Sequence, residues 1–377
     1  MILTRKGLQM KLYKVIWFIG TIFLIAGCSV DKDYNVISRH DFLLTIPIPR
    51  TIDPLKNYWG DLLGFYNRQA QASLDLVTEA LNKYPPQIPE PLERRLALLM
   101  IDGIMHEEHA AQHPSVQEFY HACMSRALTE MENNKVKEGA MVWKLYDHGF
   151  VVRTASVTLG FDLIRGNSAG AEGFAVNDDL MERIVDQCDI MFISHRHGDH
   201  ADQWVAQAFL NQAKPVVAPF DIWINSDIHA NMTHLKREAH TIQTLPLQDD
   251  QQKLRVVIYP GHQDDFNNNV SLIFTPEGMS FCHTGDQSNR SDFFWIDEVA
   301  QHHKVDVLMP NCWTTDISRM VRGFKPKLVI TGHENEMGHS IDHREPYWLT
   351  YDRTQNVNCP LVLMTWGESF HYISPKK

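Results

Sequence analysis

Apolar residues recur at three- and four-residue steps through Leu62, Leu63, Tyr66, Ala70, Leu74, Val77 and Leu81, the period of one helix face. The segment Pro85-Pro86-Gln87-Ile88-Pro89-Glu90-Pro91 stops that pattern. Two further helices are predicted over residues 92–109 and 116–131. Past Gly139 the rhythm changes to short apolar runs separated by turn residues, and residues 141–146, 150–154 and 157–163 read as strands. The chain then alternates. A helix over 180–187 precedes a buried strand over 189–194, and Asp202 is placed to cap a helix over 203–212. Strands are predicted at 216–218 and 254–259, and a hairpin joins 270–274 to 279–283 across Thr275-Pro276-Glu277-Gly278. Residues 295–302, 305–309, 315–321 and 328–331 continue as helix, strand, helix, strand. Strand meanders followed by alternating units predict an α/β fold in which helices cover sheets.

The first residues have a different character. Arg5, Lys6, Lys11 and Lys14 precede a short apolar run, residues 15–24, that ends in Ile25-Ala26-Gly27-Cys28. Small residues before a cysteine resemble the lipobox of bacterial lipoproteins. That resemblance implies cleavage before Cys28, lipid on Cys28 and work in the cell envelope. With Ser29 next, it implies the periplasmic side of the outer membrane if the host is Gram-negative. Three segments are expected: a signal peptide and lipobox at 1–28, a helical extension at 30–139 and a catalytic domain at 140–377.

Composition narrows the partners. The net charge of −11, with no long basic run, argues against nucleic acid. The 44% hydrophobic content and nine tryptophans indicate a substantial core. Cys123, Cys188, Cys282, Cys312 and Cys359 show no C-x-x-C spacing, so a zinc knuckle is not expected. Their odd number leaves at least one thiol free, and most read as buried apolar residues. His106-Glu107-Glu108-His109 has its histidines three apart, not four as in a helical zinc protease motif, and reads as a solvated helix end.

Candidate chemistry begins at His195-Arg196-His197-Gly198-Asp199-His200, directly after the strand predicted to end at Ser194. Imidazoles and a carboxylate suit zinc and its first-row neighbours. Ligands this close in sequence are better divided between two adjacent ions, which points to two-metal hydrolytic chemistry. His262, Asp286 and His333 each follow a glycine near a predicted strand end, so they converge on the same sheet edge. His240 and His283 compete with His262, and His339 and His343 compete with His333. His283 reads better as a partner behind a ligand, and Asp264 and Asp265 as loop carboxylates.

Taken together, these residues resemble the metallo-β-lactamase superfamily over roughly residues 140–370. The resemblance implies a four-layer αβ/βα sandwich with the helical extension in front. It implies that His195, His197 and His262 hold one divalent ion, that Asp199, His200 and His333 hold a second, and that Asp286 bridges them. Zinc is the expected ion, with manganese or iron(II) as alternatives. Asp199 and Asp286 are the expected catalytic carboxylates, acting on a water shared by the ions.

The form His-x-His-x-Asp-His-x-Asp, ending at Asp202, looks most like the branch of L-ascorbate-6-phosphate lactonase and N-acylphosphatidylethanolamine phospholipase D. Only 47 positions separate Asp286 from His333, too few for the inserted domain of the nucleic-acid-processing branch. The expected activity is hydrolysis of an ester, lactone or phosphodiester in a small-molecule or lipid-derived substrate, at a membrane held through Cys28. The alternatives are an envelope metallo-β-lactamase and a non-catalytic, metal-bound envelope lipoprotein.

Overall fold

Asp61 opens the first helix, its side chain accepting a hydrogen bond from the Gly64 amide at 2.9 Å. A computed structural model describes residues 60–166, 174–247 and 253–374, so the signal-peptide, lipobox and Cys28 readings lie outside the described residues. Helices α1 (Leu62–Lys83), α2 (Leu92–Met105) and α3 (Pro114–Asn133) come first. Their apolar stripes, including Leu74, Val77, Leu98, Ile101, Tyr120 and Met124, are buried.

Two sheets follow. The first runs in the order β13-β1-β2-β3-β4-β5, and the second β12-β11-β10-β9-β8-β7-β6. In the first sheet, β1 (Ala140–Lys144), β2 (Phe150–Arg153) and β3 (Thr158–Phe161) are antiparallel neighbours, and β4 (Ile190–Phe192) and β5 (Val216–Val217) add in parallel. Helices α4 (Asp178–Asp186) and α5 (Gln203–Asn211) flank β4 in sequence. The second sheet opens with β6 (Gln243–Pro246), β7 (Lys253–Gln263), β8 (Phe266–Phe274) and β9 (Ser280–His283). Helices α6 (Phe293–Ile296) and α7 (Val299–His302) lead to β10 (Val307–Met309), α8 (Ile317–Phe324) to β11 (Leu328–Ile330), and α9 (Tyr347–Arg353) to β12 (Leu361–Val362). The last strand, β13 (Glu368–Tyr372), returns to the first sheet beside β1.

Alternation along the strands sets the layers, because successive side chains point to opposite faces. Val142, Phe150, Leu159 and Ile190 meet Val256, Ile258, Phe281 and Ile330 in one core between the sheets. Trp143, Val151 and Met191 face outward into a core shared with α1 to α5. Val257, Tyr259 and Leu272 face outward into a third core with α6 to α8. The architecture is therefore helix, sheet, sheet, helix, the four-layer α/β sandwich expected, with helices N-terminal to it.

Some elements differ from expectation. The helix predicted over 295–302 is two short helices. Strand β7 runs on past the predicted end at 259 through Pro260, Gly261 and His262. Pro260 faces Asn269 and His262 faces Asn267 in the hairpin register, so His262 lies within a strand and not beyond its end. Strands β6, β12 and β13 and helix α9 were not anticipated.

Candidate active site

The His195–His200 run leaves the end of β4 and turns at once, with the His200 amide donating to the His197 carbonyl at 3.0 Å. Asp286 lies just beyond β9, His333 just beyond β11, and Asp147 and His148 in the turn between β1 and β2. Ends of neighbouring strands thus deliver ligands from distant sequence positions to one place. Gly285 makes the approach possible. Its φ is +50°, and a Cβ there would come within 2.2 Å of Asn268 Oδ1 and 2.4 Å of Ser194 Cβ.

Asp286 is central. Its Oδ2 lies 3.1 Å from His200 Nε2 and 3.7 Å from His195 Nε2, and its Oδ1 lies 3.6 Å from His333 Nε2. Asp199 Oδ2 is 3.5 Å from His200 Nε2 and 3.4 Å from His333 Nε2. Among the described residues, four overlapping groups here have donor atoms within 4.8 Å of one another: His195, His197 and Asp286; Asp147, Asp199, His200 and His333; His148, His200 and Asp286; and, further back, His148, Asp162 and His283. The first two hold most of the expected ligands, and His262 joins none of the four. Its backbone is tied to the Asp286 loop, its amide donating to Gln287 Oε1 and its carbonyl accepting from the Ser288 and Asn289 amides.

The imidazoles are held from behind. His200 Nδ1 meets Asp162 Oδ2 at 2.8 Å, and His262 Nδ1 meets Asp292 Oδ1 at 3.0 Å. His195 Nδ1 meets Ser194 Oγ at 3.0 Å, and that hydroxyl donates to Asp162 at 2.5 Å. A histidine whose Nδ1 is fixed by an oxygen offers Nε2 to a cation, the arrangement typical of metal-binding histidines. Nε2 of His195, His200 and His333, Oδ1 of Asp286 and both oxygens of Asp147 are buried without hydrogen-bond partners. Buried polar atoms are almost always paired, so this concentration fits a bound cation.

The electrostatics agree. Burial pushes the Asp286 carboxyl up, but the imidazoles of His200 and His333 outweigh it and hold the group well below the ordinary range. Burial alone favours neutral His200 and His333, yet the surrounding carboxylates raise both well above the usual imidazole value. Burial depresses His195 to about 3, so this ring is a neutral donor. The cluster therefore attracts positive charge, and a metal ion held by His200 and His333 would have to displace the protons that these rings favour.

Other candidates fall elsewhere. Asp202 caps α5 through the Trp204 and Val205 amides and pairs with Arg165 at 2.8 Å. His283 is buried behind the cluster, Nε2 meeting the His148 carbonyl at 3.0 Å. His240 groups separately with Glu298 and His302. His339 lies at the mouth, 40% exposed in its side chain, with Nε2 3.9 Å from Asp199 Oδ2. The expected solvated end at His106 is instead a bridge, its two ring nitrogens meeting the carbonyls of Asp102 and Arg344. A cavity of about 790 Å³ beside α2 and α9, lined by Glu90, Trp348 and Tyr351 among others, holds none of the cluster residues, so the chemistry is placed by donor geometry and not by cavity size.

Asp147 and Asp162 carry no signal in the sequence. Each is a lone aspartate in a turn after a strand, indistinguishable from a turn former. What sets them apart is burial: Asp147 has no hydrogen-bond partner for either carboxylate oxygen, and Asp162 bonds Ser194 and His200 behind the cluster.

Residues 147–333 match the family model described as the beta-lactamase superfamily domain. The two-sheet sandwich and the histidine–aspartate cluster are consistent with a metallo-β-lactamase fold over this stretch. Among solved structures, a metallo hydrolase from the archaeon Ignicoccus hospitalis is 14% identical, over 62% of this chain and 99% of its own, with a TM-score of 0.48. A possible metal-dependent hydrolase from Veillonella parvula is 12% identical, over 62% of this chain and 100% of its own, with a TM-score of 0.45. A diiron β-hydroxylase from Streptomyces venezuelae is 15% identical, over 63% of this chain and 55% of its own, with a TM-score of 0.45. No curated protein matches the sequence.

Proposed function

We propose that the protein is a two-metal hydrolase of ester, lactone or phosphodiester bonds. The observation that carries this reading is the set of buried, unpaired Nε2 and carboxylate atoms of His195, His200, His333 and Asp286 facing one another. His195 and His197 would hold one ion, and Asp199, His200 and His333 the other, with Asp286 available to both; His262, grouped with none of them, would join the first ion only if its ring turned toward His195 and His197. Such ions, when bound, make a water acidic enough to attack at neutral pH and polarise the oxygen of the scissile group.

The chain's own residues do the rest. Asp199, with 12% of its side chain exposed, reaches the accessible side of the cluster and orients the attacking oxygen. His339 at the mouth donates a proton from its ring to the leaving group. The Arg196 guanidinium stacks over Phe266 at 4.2 Å, and Phe266 meets the His197 ring at 5.2 Å. This cationic and apolar rim suits a substrate with an anionic group beside an apolar part.

The test combines metal analysis with a substrate panel. Two equivalents of zinc, manganese or iron, hydrolysis of bis-p-nitrophenyl phosphate or a lactone, and loss of turnover in Asp286→Ala are expected. Two metals with no turnover on esters, lactones, phosphodiesters or lactams would favour the non-catalytic alternative, and nitrocefin hydrolysis the β-lactamase. A fully active Asp286→Ala enzyme defeats the two-metal mechanism.

The same proposal includes a bacterial envelope location, supported by the lipobox-like Ile25-Ala26-Gly27-Cys28. Among the described residues no helix is long and apolar enough to cross a membrane. Incorporation of labelled palmitate that disappears in Cys28→Ser is the expected result, and incorporation that persists rejects the anchor.

A further inference from the structure

We propose that Asp147 is a carboxylate ligand of the second ion, making that site richer in oxygen than the first. The inference rests on the two-metal reading above and concerns only the composition of one shell.

Asp147 is fully buried in the β1–β2 turn, and neither carboxylate oxygen has a hydrogen-bond partner. Its backbone is left-handed at φ 55°, and its carbonyl accepts from the amide of His333, which is itself left-handed at φ 76°. For a side chain other than glycine this conformation costs about 1–2 kcal/mol. A turn aspartate that only shaped the loop would bond nearby amides or face water; Asp147 does neither. Its nearest charged neighbours are the rings of His333 and His200, themselves expected ligands, so a cation held by those rings would lie against this carboxylate as well.

The spacing fits a metal shell. Asp147 Oδ2 lies 3.8 Å from His200 Nε2, and Asp199 Oδ2 lies 3.5 and 3.4 Å from the Nε2 atoms of His200 and His333. Ligands about 2.1 Å from one ion lie about 3.0–3.4 Å apart across the angles of five- and four-coordinate shells, so these separations need only a small closing of the side chains. Asp147 Oδ1 faces His333 Nδ1 at 3.4 Å, so its other oxygen is the one turned into the cluster. The second shell then holds Asp147, Asp199 and the shared Asp286 with two imidazoles, whereas the first holds only the shared carboxylate among imidazoles. Oxygen-rich sites favour manganese over softer sets, and imidazole-rich sites favour zinc. The two positions therefore differ in preference.

Metal-free full-length protein titrated with Mn²⁺, followed by the electron paramagnetic resonance of the free ion, tests this. Wild type should bind two equivalents. Asp147→Asn keeps the shape, tolerates the left-handed backbone and preserves an acceptor for His333 Nδ1, but removes the charged ligand. It should keep the first equivalent and bind the second at least tenfold more weakly. Asp147→Gly, which relieves the backbone strain, should do the same and serves if the asparagine variant folds poorly. Metal-free melting temperatures should stay level or rise, while the rise on adding Mn²⁺ shrinks. Wild-type affinity for both equivalents in folded variants overturns the inference and leaves the two-metal reading standing. So does a lower metal-free melting temperature with an undiminished metal effect. A wild type that binds no Mn²⁺, Zn²⁺ or Fe²⁺ overturns both.

Discussion

Asp102 on α2 governs the loop that carries His333, although it lies outside the matched domain. Its Oδ1 accepts from Asn335 Nδ2 at 2.9 Å and from the Tyr347 amide at 2.8 Å, and its Oδ2 accepts from the Trp348 amide at 3.0 Å. One buried carboxylate thus pins the residue two beyond His333 and also sits at the N-terminus of α9, where an anion is favoured. Asp102→Ala leaves the Asn335 and Tyr347 donors buried and unpaired, each costing about 1–3 kcal/mol. The Trp348 amide adds less, because that residue is more than half exposed and water can reach it. The sum is about 3–5 kcal/mol, or about 4–6 °C in melting temperature for a chain of this size. Asp102→Asn keeps the Oδ1 acceptor but turns an NH₂ toward the Trp348 amide, and should cost about 1–2 kcal/mol. Urea and thermal unfolding of the metal-free protein give both values. Chelator competition should show the second metal bound about 10–100-fold more weakly in the alanine variant, as when a supporting partner is lost. An alanine variant within 1 kcal/mol of wild type, or one with unchanged metal affinity, would refute the idea that the helices buttress the site.

Three further outcomes are expected. Asp162→Asn removes the carboxylate behind His200 and should weaken metal binding about 10–100-fold, measured by zinc competition with a chromogenic chelator. Lys144 and Glu334 form a buried ion pair. Lys144→Met alone should cost about 3–5 kcal/mol, and Lys144→Met with Glu334→Leu much less, because only the single change strands a charge; urea midpoints decide, and equal losses reject it. His200 and His333 carry raised pKa values in the metal-free protein. Their stabilising effect is complete below the unfolded value of about 6.5 and fades as pH climbs through their folded values. Burial raises Asp147 well above the usual carboxylate range, which also weakens the fold as pH climbs. Metal-free melting temperatures should therefore fall from pH 6.5 to 9, while metal affinity increases as protons cease to compete; a flat metal-free profile contradicts this.

The parts legible in the sequence were those written locally. His195 to His200 announce themselves because four donors share one turn, and Asp202 announces its cap because capping is decided within three residues. Asp286 and His333 stand out through the strand-glycine context. His262 stands out in the same way, but its strand reads as ended early, since Pro260-Gly261 looks like a stop and only the pairing with Asn269 and Asn268 shows otherwise, and its ring groups with none of the other candidates. Asp102 was out of reach, as its partners lie 233 to 246 positions away. Strand β13, Glu368-Ser369-Phe370-His371-Tyr372, lacks a clean alternation because it is specified by its partner β1. Asp147 escaped because one acid in a turn carries no pattern; burial without a hydrogen-bond partner singles it out.

All five cysteines in the described residues are unbridged. Burial pushes Cys123 up to about 11 and Cys188 to about 12, and raises Cys282 and Cys312 as well, so these sulfurs stay protonated and unreactive. Among the described residues, then, folding requires no disulfide, and these four thiols need no dithiothreitol in storage. Omitting that reagent removes a zinc chelator from any assay of metal content.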